Sequence, residues 1–315
     1  MLALRYHSFG DLRDLQLEEV PTPQPAAGEV LIRIRAASIN PVDWKIATGH
    51  FRVLVRGGLP RTMGSDFAGE VTASGPGVTT LACGDRVFGF VDPFTRAGGT
   101  FAGFAAVPAQ CVQRMPDALT FQDAAALACA GATAVSLCNL GRVVDGSRVL
   151  VNGASGGVGH LTVQVARARG AEVTATASAA RHDFVRQLGA SRCIDYRHEP
   201  MTQWPGGFDA VLDCVPSIPR PVQRRLLTPT GHYVTTVPGP ATFLLDPITN
   251  RLGSVQRHGV MLRPDASAVD EYLGYLAQGR LRPSIEQVFP LHEARPAIER
   301  SRAGHVQGKI VLQVD

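Results

Sequence analysis

The sequence contains very little lysine and no block of charge of one sign. Lys45 and Lys309 are the only lysines among 31 cationic residues, so the formal net charge of +4 comes mostly from arginines that stand singly along the chain. A protein that binds nucleic acid gathers its cations into a stripe, a patch or a tail that faces the phosphates. We therefore expect no nucleic-acid partner.

Cysteines are few and show no paired spacing. The six cysteines stand at positions 83, 111, 129, 138, 193 and 214, without a C-x-x-C motif. A chain of 315 residues is long enough to bury a core without disulfide staples. We expect reduced thiols, most of them in the core.

The N-terminal residues lack a long apolar run. Arg5 and Asp11 interrupt the first hydrophobic stretch, which is therefore shorter than the apolar part of a signal peptide or a transmembrane helix. We expect a cytoplasmic protein with no membrane partner.

The composition predicts a globular protein of about two domains. Hydrophobic residues make up 45% of the chain and the mean hydropathy is +0.05, which is enough apolar surface to offset the entropy lost on folding. At roughly 150 residues per domain, the length favours about two domains. No sequence period of roughly 20 to 50 residues recurs, which excludes repeat architectures.

The two parts of the chain differ in their secondary-structure pattern. Up to about Gln113, short β-branched runs are separated by glycine and proline, which is typical of a compact, largely antiparallel β domain. These runs cover residues 29–37, 68–73, 85–91 and 101–107. From about Asp117, Ala-rich helical stretches alternate with strand-like runs, which predicts a doubly wound parallel sheet.

The C-terminal residues alternate between the two patterns. They predict a helix at 269–278, a strand at 284–290, a helix at 293–301 and a strand at 308–314. Two assignments stay open from these residues alone. The helices can extend the nucleotide domain, and the final strands can return to the first domain.

A glycine-rich turn joins a predicted strand to a predicted helix in the run R-V-L-V-N-G-A-S-G-G-V-G at 148–159. This is the context of a dinucleotide-binding turn. Gly156 and Gly157 allow the backbone to approach a pyrophosphate, Gly159 allows close helix packing, and the helix N-terminus supplies N–H donors. Ser155 and Val158 complete the predicted phosphate-binding turn. The alternative is a turn of the same kind that binds nothing.

The end of the next strand favours NADP(H) over NAD(H). An acidic residue at this place accepts hydrogen bonds from a ribose 2′-hydroxyl and repels a 2′-phosphate, but the strand 171–177 ends without a carboxylate. Ser178 and Arg181 follow it, and Tyr196 follows the third strand at 192–195. A guanidinium and hydroxyls bind a phosphate dianion well. The alternative is that Arg181 and Tyr196 are ordinary surface residues.

Several further motifs occur in order along the chain. They are A-S-I-N-P-V-D-W-K (37–45), G-S-D-F-A-G (64–69), G-D-R-V (84–87), G-G-T-F (98–101), C-A-G-A-T (129–133), A-S-G-G-V-G (154–159), L-G-A (188–190), D-Y (195–196) and G-K-I-V-L (308–312). Over essentially the whole chain, this set resembles the zinc-independent quinone and enone reductase branch of the medium-chain dehydrogenase/reductase superfamily. The resemblance implies an α/β fold. A Rossmann doubly wound parallel sheet at 121–264 is inserted into a mostly β GroES-like catalytic domain formed by 1–120 and 265–315, and a substrate cleft lies between the two.

The resemblance also implies a cofactor and its contacts. NADPH would be the hydride donor, a conjugated carbonyl or a quinone would be the small-molecule acceptor, and the protein would be a homodimer. The implied cofactor-binding residues outside the glycine turn are Asn40 near the nicotinamide ribose, Thr133 near the nicotinamide phosphate, Ser178, Arg181 and Tyr196 around the 2′-phosphate, Val237 with backbone groups for the nicotinamide amide, and Lys309.

Zinc alcohol dehydrogenases share the implied fold, and their catalytic zinc ion has a defined set of protein ligands. They hold the catalytic ion with a Cys near position 39 or 40, a His in a G-H-E element and a Cys before A-G-x-T. This chain has no Cys at the first place, has Ser65 at the second and matches only with Cys129. Tetrahedral zinc in a catalytic site needs three protein ligands and a water. We therefore expect no metal and interpret Cys129 as a small buried apolar side chain.

Hydride transfer without a metal needs a group that stabilises the enolate oxygen as its charge develops. Lys45 is the candidate, because it stands five residues after Asn40 in the segment implied to line the cleft; the alternative is a solvated lysine on a short helix. Asp43 either orients Lys45 or caps the local turn. Lys45, Asn40 and Asp43 are thus the predicted catalytic residues.

Two other functional classes stay open. One is a catalytically silent NADP-binding regulator or adaptor, because a fold does not guarantee its chemistry. The other is a non-redox cyclase or isomerase on the same fold.

Overall fold

The computed structural model describes residues 1–95, 99–237, 239–253, 255–261 and 266–315. Its strands are β1 (Leu2–Tyr6), β2 (Gln16–Glu19), β3 (Glu29–Ser38), β4 (Arg61–Thr62), β5 (Asp66–Ser74), β6 (Arg86–Phe90), β7 (Phe104–Pro108), β8 (Val112–Arg114), β9 (Arg148–Asn152), β10 (Glu172–Ala177), β11 (Arg192–Asp195), β12 (Phe208–Asp213), β13 (Leu227–Thr235), β14 (Gln256–Gly259), β15 (Ile285–Pro290) and β16 (Lys309–Gln313). Its α-helices are α1 (Pro41–Ala47), α2 (Phe121–Leu140), α3 (Gly159–Ala168), α4 (His182–Gln187), α5 (Arg220–Leu226), α6 (Pro240–Leu244), α7 (Asp246–Leu252), α8 (Ala266–Ala277) and α9 (Ala294–Arg302). Gly98 of the G-G-T-F motif and the predicted domain boundary at 264/265 lie outside the described residues.

The chain forms two compact units. The first consists of Met1–Cys129 and Ser284–Asp315, and the second consists of Ala130–Pro283. The sequence predicts the divisions at 120/121 and 264/265, whereas the structure places them at 129/130 and 283/284. The first division falls inside α2, which continues through it without a break.

Helix α8 lies in the second unit because its buried face packs there. The ring of Tyr272 is fully buried, and a Cβ atom added at Gly131 would lie 3.0 Å from it. On the same helix, Glu271 accepts a hydrogen bond of 2.8 Å from Arg169, the residue that follows α3. These contacts assign the first of the C-terminal helices to the nucleotide-binding side of the chain, which the sequence alone leaves open.

The first unit is built on the long strand β3. In the main sheet the strand order is β15-β16-β3-β5-β6-β8, and β7 also pairs with β3. All of these neighbours of β3 are antiparallel to it, and the C-terminal strand β16 is one of them. The large side chains of Ile32, Ile34, Phe67 and Phe88 are fully buried in this unit. Complete burial of such a side chain contributes about 1.5–3 kcal/mol.

The second unit contains a parallel sheet with strand order β11-β10-β9-β12-β13-β14. Numbered within the unit, this is the order 3-2-1-4-5-6 of a doubly wound nucleotide-binding fold, with the order reversing between β9 and β12. Residues Val149, Leu150 and Val151 are fully buried, as expected for a strand covered on both faces. The predicted fold class is confirmed: a Rossmann-type parallel sheet accompanies a mostly β unit.

One helix in the described part of the chain has the length and apolarity of a membrane span. It is α2, with a hydropathy of 1.4 over an 18-residue window of which 72% is buried inside the protein. Most of this window is buried inside the protein, so core packing accounts for its apolar composition.

Candidate active site

The glycine-rich turn connects the end of β9 to the start of α3 in the second unit. Gly153 has a φ of +75°, which a residue with a side chain rarely adopts. A Cβ atom added at Gly159 would lie 2.1 Å from the Gly153 carbonyl oxygen, so the helix approaches the turn more closely than any side chain allows. At Gly156 the corresponding distance is 3.4 Å. The turn therefore presents bare backbone at the N-terminus of α3.

Thr176 fixes the first residues of this turn from the neighbouring strand β10. Its buried hydroxyl accepts a hydrogen bond of 3.0 Å from the Gly153 N–H and donates one of 2.6 Å to Oδ1 of Asn152. The Ala154 N–H donates to the Thr176 carbonyl oxygen at 3.0 Å. Hydrogen bonds to the side chain and the backbone of Thr176 therefore attach the turn to β10.

A buried carboxylate lies beside Asn152 at the carboxyl end of the parallel sheet. Oδ1 of Asp213 accepts a hydrogen bond of 2.7 Å from Asn152 Nδ2, and Oδ2 accepts one of 2.6 Å from the Tyr233 hydroxyl. Burial raises the pKa of the Asp213 carboxyl, and these hydrogen bonds oppose the shift. Burial and the adjacent Asp213 raise the pKa of Tyr233. Because β9, β12 and β13 are adjacent and parallel, the side chains of Asn152, Asp213 and Tyr233 meet at the carboxyl end of the sheet.

The three residues predicted around a 2′-phosphate follow the ends of two paired strands. Ala177 of β10 pairs with Asp195 of β11, so Ser178 and Tyr196 come directly after residues that are adjacent in the sheet. Ser178 and Arg181 are half-buried, and Tyr196 is 40% exposed. The structure therefore brings the segments that follow β10 and β11 together at the carboxyl end of the sheet.

A second guanidinium stands beside this group. The Arg197 guanidinium lies 5.9 Å from the centre of the Tyr196 ring, within cation–π distance. Asp195 accepts hydrogen bonds from the Arg197 N–H at 3.0 Å and from the His198 ring at 2.7 Å. The hydrogen bond from His198 lowers the pKa of Asp195.

The other two predicted cofactor contacts of the second unit have different surroundings. Thr133 lies on α2 and is 6% exposed. Val237 follows β13 and is 38% exposed, and its N–H donates a hydrogen bond of 3.3 Å to the Thr235 hydroxyl. The contact between the Val237 backbone and the nicotinamide amide stays a prediction.

In the first unit, Asn40, Asp66 and Lys309 form a buried polar cluster. Lys309 Nζ donates a hydrogen bond of 2.6 Å to Oδ1 of Asn40, and Asn40 Nδ2 donates one of 2.8 Å to Oδ2 of Asp66. The ammonium also lies 3.4 Å from Asp66 Oδ2. Asn40 precedes α1, Asp66 begins β5 and Lys309 begins β16. The predicted cofactor residue Lys309 is therefore directed into this cluster and is only 3% exposed.

Asp43 caps α1 from within the same cluster. Its Oδ2 accepts a hydrogen bond of 2.7 Å from the Asn40 N–H, and its Oδ1 accepts one of 2.8 Å from the Ser65 hydroxyl. Burial raises the pKa of Asp43 to about 7. Of the two roles that the sequence leaves open for Asp43, the structure shows the capping role.

Lys45 lies on the same short helix and outside this network. Its side chain is half-buried, and its ammonium lies 5.6 Å from the centre of the Trp44 ring. The catalytic role of Lys45 stays a prediction.

Comparison with known proteins identifies the family. Residues 26–117 match the family model described as alcohol dehydrogenase GroES-like domain, and residues 188–312 match the one described as zinc-binding dehydrogenase. The chloroplast envelope quinone oxidoreductase homolog of Arabidopsis thaliana is 35% identical over an alignment of 327 positions. The alignment covers 99% of this chain and 98% of that protein. This chain belongs to the medium-chain dehydrogenase/reductase family, quinone oxidoreductase type.

Solved structures of medium-chain dehydrogenase/reductases agree over the whole chain. The quinone oxidoreductase from Coxiella burnetii superposes with a TM-score of 0.91 at 31% identity and covers 100% of this chain and 99% of its own. A mycobacterial protein complexed with NADPH has a TM-score of 0.86 at 27% identity, with 99% of both chains covered. The predicted family is confirmed, and the chain is an NAD(P)H-dependent oxidoreductase.

The residues of this medium-chain dehydrogenase/reductase fit a nicotinamide dinucleotide. A Cβ atom at Gly159 would collide with the Gly153 carbonyl oxygen, and the bare backbone at Gly156 leaves room for the close approach of a pyrophosphate at the N-terminus of α3. Prediction from sequence located this turn but missed the polar network that supports it. Asn152, Thr176 and Asp213 each stand at or next to the end of an apolar strand run, and a polar residue at that position was the available signal.

Proposed function

We propose that this protein uses NADPH to reduce the activated C=C bond of an α,β-unsaturated carbonyl, or a quinone, without a metal. The observation that carries the proposal is the strand pair β10–β11. The segments that carry Ser178, Arg181 and Tyr196 follow these two strands at the carboxyl end of the sheet. The strand end of β10 that would carry an acidic residue in an NAD site carries Ala177 and Ser178 instead.

Charge at this edge supports a phosphorylated cofactor. Arg181 follows Ser178 in a short turn that leads into α4. The Arg197 guanidinium lies 5.9 Å from the centre of the Tyr196 ring. Two acids lie nearby, and both accept hydrogen bonds within the protein: Asp195 from His198 and the Arg197 backbone, and Glu199 from the Asp195 N–H at 2.8 Å. A 2′-phosphate dianion gains charge-assisted hydrogen bonds in such surroundings, whereas a bare 2′-hydroxyl gains little.

The chemistry of the donor set supports a reaction without zinc, although one matched family model is described as zinc-binding. Positions 40 and 65, where zinc relatives supply ligands, carry an amide and a hydroxyl whose atoms Nδ2 and Oγ lie 3.5 Å apart. Both groups are engaged within the protein, Asn40 with Lys309 and Asp66, and Ser65 with Asp43. A soft thiolate at Cys129 cannot by itself hold a tetrahedral ion.

The mechanism assigns separate tasks to the two units. When bound, NADPH supplies the hydride. The turn at Gly153–Gly159 binds the pyrophosphate through backbone N–H groups, and Ser178, Arg181 and Tyr196 bind the 2′-phosphate. Lys45 stabilises the negative oxygen that develops on the acceptor, since an ammonium is the strongest hydrogen-bond donor on its helix. Asn40 orients the nicotinamide side of the cofactor.

Two properties of the protein in the cell belong to the same proposal. We propose a cytoplasmic protein that acts on small molecules. We also propose a homodimer formed through an edge of the parallel sheet, because β11 and β14 are its outer strands and an exposed strand edge favours pairing.

The experiment that tests the reaction follows the loss of NADPH absorbance with a panel of 2-alkenals, enones and quinones. We expect turnover with at least one class, and we expect it to persist after dialysis against a chelator. NADPH oxidation by none of them would refute the reductase and leave a silent NADP-binding regulator or a non-redox enzyme. Activity that chelation removes and Zn²⁺ restores would refute the metal-free reaction.

The cofactor assignment is tested by the variant Arg181→Ala. Loss of a charge-assisted contact to the 2′-phosphate should raise the KM for NADPH about 10- to 100-fold and leave the KM for NADH nearly unchanged. Arg186→Ala is the matched control, because it removes the same charge from α4, where Arg186 pairs with Asp183 at 3.1 Å. Parallel losses for both cofactors would contradict a 2′-phosphate contact.

A further inference from the structure

The side-chain amide of Asn40 is held at both ends by buried charged groups. Its Oδ1 accepts from Lys309 Nζ at 2.6 Å, and its Nδ2 donates to Asp66 Oδ2 at 2.8 Å. The exposed fractions of Asn40, Asp66 and Lys309 are 7%, 0% and 3%. The three residues lie far apart in the chain and meet only because β16 pairs with β3 and β3 with β5.

This arrangement permits one orientation of the amide. An amide oxygen only accepts hydrogen bonds and an amide nitrogen only donates them. A flipped amide would place its NH₂ group against the Lys309 ammonium and its oxygen against the Asp66 carboxylate. Both contacts would be repulsive in a buried site where charge is weakly screened. The charged pair therefore determines which face of Asn40 offers a donor and which offers an acceptor.

Stability alone is a poor explanation for this pair. Burying an ammonium and a carboxylate costs several kcal/mol per ion, which their mutual attraction repays only partly. Asp66 Oδ2 also accepts a hydrogen bond of 2.5 Å from the Ser38 hydroxyl, but within the described residues no partner reaches its Oδ1. An apolar pair of similar volume would fill the same space at lower cost. What the charges add is a fixed direction for the amide between them.

We infer that Lys309 and Asp66 are positioning residues that act on the cofactor through Asn40. The inference rests on the proposed function, in which Asn40 orients the nicotinamide side of NADPH. It changes the role given to Lys309, because a lysine whose ammonium is buried against Asn40 and Asp66 does not itself contact the cofactor. The C-terminal strand thereby contributes to cofactor orientation without touching the cofactor.

The test is a double-mutant cycle between Lys309→Met and Asn40→Ala. The readouts are kcat and KM with NADPH, the calorimetric Kd for NADPH and the free energy of unfolding in urea. Misplacing an orienting group should lower kcat/KM about 10- to 100-fold in Lys309→Met. In the Asn40→Ala background, the same substitution should have almost no further kinetic effect, because the residue it orients is gone.

A second variant separates positioning from folding. Lys309→Met leaves the Asp66 carboxyl without its cation and should lower stability, whereas Lys309→Met combined with Asp66→Asn removes both charges and should recover much of it. The kinetic defect should remain in the neutral pair, because nothing then fixes the amide. Full kinetic recovery together with stability would overturn the inference, as would equal kinetic losses from Lys309→Met in both backgrounds.

The control is the Arg35–Glu70 ion pair, which joins the same strands β3 and β5 at 2.9 Å and is partly exposed. Arg35→Met with Glu70→Gln should leave kcat, KM and the Kd for NADPH unchanged. The outcomes also separate the two proposals. Turnover by the wild type without coupling between Lys309 and Asn40 would sink only the positioning role. Coupling in the calorimetric Kd without turnover on any acceptor would sink only the reductase.

Discussion

The hydroxyl of Thr176 lies 2.6 Å from Oδ1 of Asn152 and 3.0 Å from the Gly153 N–H, so one buried side chain ties β10 to β9 and to the glycine turn. Thr176→Val keeps the shape of the side chain and removes both hydrogen bonds. A buried donor and a buried acceptor then lose their partner, which costs about 1–3 kcal/mol. We expect lower stability and weaker NADPH binding, because the turn loses its support.

The measurement is urea unfolding together with calorimetry of NADPH binding. Thr174→Val is the matched control, since it makes the same replacement two residues earlier in β10. The role of Thr176 fails if both variants lose equal stability and equal affinity.

The glycine turn was predictable from sequence, whereas its supporting network was not. The run at 148–159 places strand, glycines and helix next to one another, so the pattern is local and each glycine has a local reason. Asn152, Thr176 and Asp213 become neighbours only through the pairing of β9 with β10 and β12. Sequence gives no register for parallel strands that are buried on both faces, because such strands have no alternation to fix it.

In the first unit, the contacts of Lys309 were unpredictable from sequence for the same reason. The resemblance places it among the cofactor residues, but its partners Asn40 and Asp66 stand 269 and 243 positions away. Only the return of β16 to β3 brings them together. The division of the chain near α8 was likewise hidden, because it depends on the burial of Tyr272 against the helix that carries Gly131.

Gly156 and Gly159 should respond differently to the same substitution. A Cβ at Gly159 would collide with the Gly153 carbonyl oxygen at 2.1 Å, so Gly159→Ala should lower stability by about 1–3 kcal/mol or more. At Gly156 the corresponding distance is 3.4 Å, so Gly156→Ala should fold with nearly normal stability. It should nevertheless weaken NADPH binding about tenfold or more, because a methyl group then stands where the pyrophosphate approaches the backbone.

Thermal unfolding and calorimetry of the two alanine variants test this contrast, and each serves as the other's control. Normal NADPH affinity in Gly156→Ala would show that the pyrophosphate does not approach the turn at that residue.

Lys45→Met should slow reduction of the acceptor without weakening the cofactor. Loss of a donor to the developing negative oxygen costs about 100-fold or more in kcat. The Kd for NADPH should stay nearly constant, since the 2′-phosphate and pyrophosphate contacts belong to other residues. Arg52→Met is the control, because Arg52 also stands over an aromatic ring, that of Phe9 at 5.6 Å. Unchanged kcat in Lys45→Met would remove Lys45 from the mechanism.

Asp43 should make the stability of the protein depend on pH in an unusual direction. Burial raises the pKa of its carboxyl from 3.8 to about 7. Between these two pH values, the folded protein therefore keeps a proton that the unfolded chain has released. The stabilisation is fully present below pH 3.8 and is lost as the pH rises through about 7. The free energy of unfolding of the wild type, relative to Asp43→Asn, should therefore fall across this range.

Urea unfolding of both proteins at several pH values checks the sign, and the difference between them cancels the titrating groups that both proteins retain and that do not interact with Asp43. Asn at position 43 still accepts from the Asn40 N–H and can donate to the Ser65 hydroxyl, so the variant should fold. Asp11→Asn is a control of opposite sign, because the hydrogen bond from Arg13 lowers the pKa of Asp11 to about 2. In that case the wild type should gain stability relative to the variant as the pH rises from about 2 to 4. A flat difference for Asp43→Asn would mean that this carboxyl is ionised in the folded protein throughout, and that the Ser65 and Asn40 hydrogen bonds outweigh its burial.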